Sequence, residues 1–294
     1  MKSRPITQND FPVVAQVLGD DERSHGRPGR IGVNEVHEWT QFTDLASDSW
    51  LYEDADGVAA VGWAYVYGVV GVGIGVVHPR AKGRGLGAVL LERSDSLLRT
   101  RDIERIHQFT IGSDTAAHSL LERRGYRDVR HFFEMAIELT ERPRVPDVDI
   151  EVFAGEDDAA RAFHAALDEA FQDHWEHQSQ GFDAWWQRQR RNPNFDPTLW
   201  FLIRDGEEIA ATVRNEGNRN GGGYIAAIGV RRPWRGKGYA KALLLHSFAE
   251  FWDRGLPRVT LGVDAASPTG ATHLYERVGM HVEQENVVFE KSLP

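Results

Sequence analysis

The chain has 294 residues, 41% hydrophobic and 27% charged, with a formal net charge of −10. That length suits about two domains of roughly 150 residues each. Having no cysteine, the chain can carry no disulfide, thiolate nucleophile or cysteine metal site, and its acidic balance argues against a nucleic-acid binder, which needs a broad basic face.

Residues 1–10 hold no apolar run, so no secretory signal peptide and a cytoplasmic location are expected. Residues 5–11 predict a short strand and a cap, followed by a helix through Val13, Val14, Val17 and Leu18. A polar loop follows, then a helix over 35–45, a strand over 49–53 and a turn at 54–57. Residues 58–77 carry no charge and are about long enough to cross a bilayer. However, Gly62, Gly68, Gly71, Gly73 and Gly75 fall inside that stretch, and each would cost a helix about 1 kcal/mol. A hairpin turning near Gly68 is expected instead, apolar because it packs on the other half of the chain. A helix over 86–101, a strand over 106–111, a helix over 114–124 stopped by Gly125 and a strand over 126–139 complete the first half. Residues 141–149, with two prolines, read as a linker between domains at 1–140 and 150–294. The second half repeats the order. It has a strand at 150–153, helices at 157–171 and 182–191, a strand at 199–204 and a hairpin over 209–230 turning near 218–222. A helix over 238–254, a strand over 259–263, a helix ending at Arg277 and a last strand over 281–291 follow. The fold class is α/β, with two tandem domains, each a mixed central sheet flanked by helices.

At the strand-to-helix corner of the second half stands Ile228-Gly229-Val230-Arg231-Arg232-Pro233-Trp234-Arg235-Gly236-Lys237-Gly238-Tyr239-Ala240. Glycines at a helix N-terminus turn several N–H groups toward one point, and the helix dipole adds to the pull on an anion. Arg235 and Lys237 add cationic donors, so the corner reads as a diphosphate cradle. The first half holds Ile74-Gly75-Val76-Val77 and then Lys82-Gly83-Arg84-Gly85-Leu86-Gly87. Lys82 corresponds to Arg235 and Gly85 to Gly238, each at an offset of 153 (235−82, 238−85), which points to duplication.

With Arg235-Gly-Lys-Gly238-Tyr-Ala240 fitting Arg/Gln-x-x-Gly-x-Gly/Ala in full, and Lys82-Gly-Arg-Gly85-Leu-Gly87 fitting with Lys in first place, the chain resembles the GNAT superfamily of acyl-CoA-dependent N-acetyltransferases over nearly its whole length. The resemblance implies acetyl-CoA as donor and a small-molecule amine as acceptor. It implies an oxyanion met by a backbone N–H near Ile228, Gly229 and Val230, with Ile74, Val76 and Val77 as the first-half counterparts. Loops 235–240 and 82–87 would hold the diphosphate. Where the family often has an Asn on the pantetheine arm, this chain has Ser267-Pro268, and Pro268 suits a helix start. The family's thiolate-protonating Tyr falls on Tyr275, in Leu274-Tyr275-Glu-Arg-Val-Gly279. Leu121 stands at that place in the first half and cannot donate a proton. The second domain is therefore expected to catalyse, and the first to bind acyl-CoA or serve as scaffold.

A base is less defined, because Tyr224, Ala226 and Ala227 of the fourth strand offer no carboxylate. The cluster Asp173-His174-Trp175-Glu176-His177 after the first helix supplies His174 and Glu176 as candidates. His174-x-x-His177 has metal-like spacing but no clear third ligand, and no metal is expected. Gly83-Arg-Gly85-Leu-Gly87-Ala88 also matches a dinucleotide pattern, but it does not open its domain and Lys241 breaks the pattern in the second copy. Thiols of the amino-sugar type, aminoglycosides, amino acids and peptide N-termini stay open as acceptors. No nucleic acid or membrane is expected as partner, and the state is monomer or homodimer. A non-catalytic acyl-CoA binder is the alternative.

Overall fold

The computed structural model describes residues 1–219 and 221–293; Asn220, inside the turn expected near 218–222, lies outside the described residues. The chain divides into two units, Met1–Phe132 with Gln284–Pro294 and Phe133–Glu283. The final strand of the sequence thus belongs to the first unit, while the end of the first half's last strand belongs to the second. This division departs from a boundary at 141–149, because β-strand pairing and not chain order decides membership.

Unit 1 contains β1 (Lys2–Arg4), α1 (Phe11–Ser24), α2 (Val33–Trp39), α3 (Leu45–Asp48), β2 (Ser49–Asp54), β3 (Gly57–Tyr67), β4 (Val70–Val77), α4 (Leu86–Leu98), β5 (Arg105–Ile111) and α5 (Thr115–Arg123). The chain then passes through β6 (Arg127–Glu138) into unit 2. This holds β7 (Glu151–Val152), α6 (Asp157–Phe171), α7 (Phe182–Arg191), β8 (Trp200–Asp205), β9 (Glu208–Arg219), β10 (Gly222–Val230), α8 (Tyr239–Asp253), β11 (Arg258–Asp264) and α9 (Ala271–Arg277), before β12 (His281–Ser292) returns to unit 1. The strand order is β1-β2-β3-β4-β5-β12 in unit 1 and β6-β11-β10-β9-β8-β7 in unit 2. In each, a parallel pair, β4–β5 or β10–β11, lies beside an antiparallel one, β3–β4 or β9–β10, so the sheets are mixed as expected.

Two local expectations change. The helix expected over 35–45 is split into α2 and α3, with a break at 40–44. The first strand lies at Lys2–Arg4, ahead of a turn in which Asp10 accepts from Arg4 at 2.7 Å and from the Thr7 N–H at 2.8 Å.

The apolar 58–77 stretch is the β3–β4 hairpin. Its apolar face is buried inside its own unit: a Cβ on Gly71 would meet Leu98 at 2.9 Å and one on Gly75 would meet Leu90 at 3.2 Å. The glycines let α4 lie close on the sheet. Among the described residues no helix is long and apolar enough to cross a membrane. In unit 2, Ala160, Phe163, Ala166, Leu167 and Ala170 recur at helical spacing and form the buried face of α6. That face presses on β10 at Gly229, where a Cβ would stand 2.7 Å from the Ala170 Cβ.

Candidate active site

Both glycine loops fold alike. Gly83 and Gly85 have φ of 79° and 82°, Gly236 and Gly238 have 81° and 84°. A Cβ on any of the four would meet nothing within 4 Å, so backbone conformation and not crowding requires glycine there. Gly85 caps α4 and Gly238 caps α8. The N–H groups of Gly236, Lys237, Gly238 and Tyr239 donate to no backbone carbonyl among the described residues, and the same holds for Gly83, Arg84, Gly85 and Leu86. A run of open donors at a helix N-terminus fits a diphosphate. Ala240 and Gly87 sit in the first turn behind the donors.

The side chain of Arg235 does not point at that cradle, contrary to its expected role as a phosphate donor. Its Nε donates to the Val230 carbonyl at 3.2 Å, Nη1 to Asp173 at 2.9 Å and Nη2 to the Ala170 carbonyl at 3.3 Å. It ties the loop to the end of β10 and the C-terminal end of α6. Asp173 also takes Arg232, and these two guanidinium groups, Arg232 first, hold its carboxyl down at about 2. Lys82 does the same in unit 1: its Nζ lies 2.7 Å from Asp21, near the end of α1. Lys237, half-exposed, reaches Asp205 at 3.4 Å, and Arg84 reaches Asp54 at 2.9 Å.

The strands leading into the loops differ. β10 pairs with β11 only over Gly223–Ile225, then the two diverge, as β4 and β5 do beyond Gly73 and Gln108. Against β9, however, β10 breaks register between Ile225 and Ala227, leaving Ala226 as an extra residue. Such a bulge leaves a residue out of the ladder and re-aims its backbone groups. The break falls just before Ile228, Gly229 and Val230, which are in regular register with Val213, Thr212 and Ala211. Its first-half counterpart is missing: Ile74, Gly75, Val76 and Val77 pair with β3 without a shift.

Tyr275 lies in α9, 6% exposed. Burial, with Tyr224 second, pushes its phenol well above the ordinary range, so it is protonated at neutral pH. Leu121 is a buried core residue of unit 1. α9 starts at Ala271 behind Gly270 (φ 70°), so Pro268 does not open it; Ser267 instead sits in the preceding turn, its N–H on the Asp264 carbonyl at 3.0 Å.

His174 stacks on Phe171, ring centroids 4.2 Å apart, and burial, then His177, lowers its pKa, leaving the ring neutral. Its charged neighbours are Asp264, Arg235 and Asp173. Glu176 sits at φ 53°, a left-handed conformation uncommon for Glu. His177 lies 3.1 Å from Asp168.

One constellation escaped the motifs. Arg214, Glu216 and Arg219 of β9 form a buried network beneath α7. Arg219 Nη1 donates to Glu216 at 2.9 Å and Asn192 Nδ2 to Glu216 at 3.1 Å. Arg214 Nη1 bonds Gln189 and lies 3.5 Å from Glu216. Arg219 also covers the Tyr224 ring at 3.9 Å. Three charges in mid-strand are the signal the sequence offers. β10 itself offers no carboxylate, but Glu216 of β9 is the cross-strand partner of Tyr224.

Comparison with known proteins bears on these corners directly. Residues 157–280 match the model of the acetyltransferase (GNAT) family and residues 33–137 that of an acetyltransferase (GNAT) domain. The chain is 30% identical over 293 residues to a mycothiol acetyltransferase of Thermomonospora curvata, covering 96% of this chain and 95% of that one. It is 29% identical over 263 residues to the mycothiol acetyltransferase of Nocardiopsis dassonvillei, covering 78% of each. The crystal structure of a GCN5-related N-acetyltransferase from Sphaerobacter thermophilus superposes with a TM-score of 0.84 at 32% identity, covering 99% of this chain and 95% of that one. With two glycine corners of one geometry and these matches, the chain belongs to the GNAT family of acyl-CoA-dependent N-acetyltransferases, as two such domains in tandem.

Proposed function

We propose that unit 2 transfers the acetyl group of acetyl-CoA to the amine of a small-molecule acceptor, in the cytoplasm, and that unit 1 holds acyl-CoA without turning it over. The observation that carries this reading is the coincidence, in unit 2 alone, of a register break at Ala226 with the protonated phenol of Tyr275.

In this mechanism the N–H groups of Gly236 through Tyr239 take the diphosphate, with Lys237 as a flanking cation. Ile228, Gly229 and Val230, where β10 has left β11, hold the pantetheine arm, and Ser267 flanks it from the other side. The neutral amine attacks the thioester carbonyl carbon, forming the C–N bond. The oxyanion accepts a hydrogen bond from the backbone at the Ala226–Ala227 link. The C–S bond then breaks, and the departing sulfur takes the Tyr275 proton. His174, neutral at working pH, accepts the proton the amine gives up; Glu176 is its alternative. In unit 1, Val76, Val77, Lys82, Gly83, Arg84, Gly85, Leu86 and Gly87 supply the equivalent cradle, with Leu121 where an acid would stand.

The relatives are named mycothiol acetyltransferases, so a mycothiol-type amine is one acceptor to try first. The test is release of free thiol from acetyl-CoA with a panel of amines, wild type against Tyr275→Phe. Wild-type turnover that Tyr275→Phe leaves intact removes the assigned acid; no turnover with any amine favours a binding protein instead.

A further inference from the structure

We infer that unit 2 selects an acceptor carrying a carboxylate beside its amine, as an amino acid does, and that Arg214 receives that carboxylate. This deepens the proposed amine acetylation and rests on it.

Backbone bonds align the two units without reference to side chains. The His78 N–H donates to the Ala59 carbonyl, and the Arg231 N–H donates to the Ala210 carbonyl. Ala59 therefore corresponds to Ala210, and counting along the strands sets Trp63 against Arg214 and Tyr65 against Glu216. Strand pairing agrees, since Trp63 faces Ile74 and Arg214 faces Ala227. In unit 1 this wall is solid: Trp63 is 1% exposed in an apolar cluster with α1, and Phe42 stacks on Tyr65 at 5.8 Å. In unit 2 the same wall is charged.

Glu216 stands between two guanidinium groups. Glu216, 1% exposed, is already committed to Arg219 and Asn192. Within Arg214, Nη1 is used on Gln189 and Glu216, and Nε is sealed from solvent. Nη2 makes no hydrogen bond among the described residues and is not sealed. Arg214 lies directly across from Ala227, at the register break where the oxyanion would form. A guanidinium with an open donor beside the transfer centre fits an anion. A carboxylate beside the amine would take that donor, which a bare amine leaves unused. The Arg214 guanidinium there favours loss of the amine proton before attack.

The test follows thiol release from acetyl-CoA with the intact protein, using three sets of probes: the proteinogenic amino acids, their carboxamides, and uncharged or cationic amines such as glucosamine and spermidine. The expected result is a kcat/KM for the best amino acid about 10- to 100-fold above its carboxamide, the size of a charge-assisted bond. Arg214→Gln should erase that ratio while KM for acetyl-CoA stays put. The acid–amide ratio in wild type needs no variant, so misfolding of Arg214→Gln cannot hide the answer. Equal use of acid and amide, turnover confined to glucosamine or spermidine, or a ratio that survives in a folded Arg214→Gln each overturns the inference and leaves acetyl transfer standing. No thiol release with any probe overturns the transfer reading, and this inference with it.

Discussion

The two units agree where a diphosphate would lie and disagree where a bond would be made. Their loop glycines match within a few degrees of φ, and in both the first basic residue is anchored to an Asp near the end of the first helix, Lys82 to Asp21 and Arg235 to Asp173. Around the carbonyl position they part: β4 runs in unbroken register where β10 breaks at Ala226, Leu121 stands for Tyr275, and Trp63 with Tyr65 fills the wall that Arg214 and Glu216 make polar. A glycine cradle constrains only its own backbone and can remain after a neighbouring cavity is filled. An acid, a bulge and a polar wall are useful only together.

The widest separation between the units should come from Tyr275. Tyr275→Phe keeps the ring in the core and removes only the proton, so kcat should fall by about 100-fold or more, with little change in KM for acetyl-CoA. Leu121→Ala, the corresponding change in unit 1, should leave kcat alone even if it lowers stability. Steady-state kinetics on both variants decides it, and equal effects would erase the contrast. Next in size are the caps. Gly238→Ala forces a side chain into φ 84°, a strain of roughly 1–2 kcal/mol, and should raise KM for acetyl-CoA about tenfold. Gly85→Ala imposes the same strain at φ 82° but should leave turnover unchanged, while calorimetry should show weaker coenzyme A binding at a second site. A single site lost only through Gly238→Ala would mean that unit 1 does not bind.

How legible all this is in the sequence depends on how local each feature is. The loops, their glycine conformations and the α/β order are set by neighbours in the chain, and they stand where they were expected. The charge of Arg235 is local too, but its direction is not: it follows from α6 bringing Asp173 and the Ala170 carbonyl alongside. The same holds for the register break, which exists only relative to β9, and for Glu216, which meets Tyr224 only through pairing. Pro268 suggested a helix start that Gly270 in fact provides. The exchange of terminal strands leaves no mark in composition, since β12 reads equally well as the edge of either unit.

A smaller effect is expected at the shared anchor. Asp173→Asn keeps the shape but gives up the charge that restrains Arg232 and Arg235. The loop should loosen, with KM for acetyl-CoA up several-fold and kcat near wild type. Asp21→Asn should be silent in turnover. A fall in kcat at constant KM would instead assign Asp173 to the chemistry.

The weakest contrast is in pH. In unit 2, burial lowers the pKa of His164, His174 and His246 below 6.5. The unfolded chain therefore takes up these protons first as pH falls, and the stability these residues contribute, present above about 6.5, is lost below it. In unit 1, His131 is raised, chiefly by its hydrogen bond to Glu285. Its contribution is complete below about 6.5 and lost as pH rises through the higher folded value, and with the ring 41% exposed it is small. Acidification from pH 7.5 to 5.5 should thus open unit 2 before unit 1. Hydrogen exchange read by mass spectrometry, corrected for intrinsic rates, should show peptides of α6, α7 and α8 losing protection while those of β3 and β4 hold theirs. Uniform loss across both units would mean that these histidines do not set the acid response, and would leave the difference between the halves to Tyr275 and the wall beneath α7.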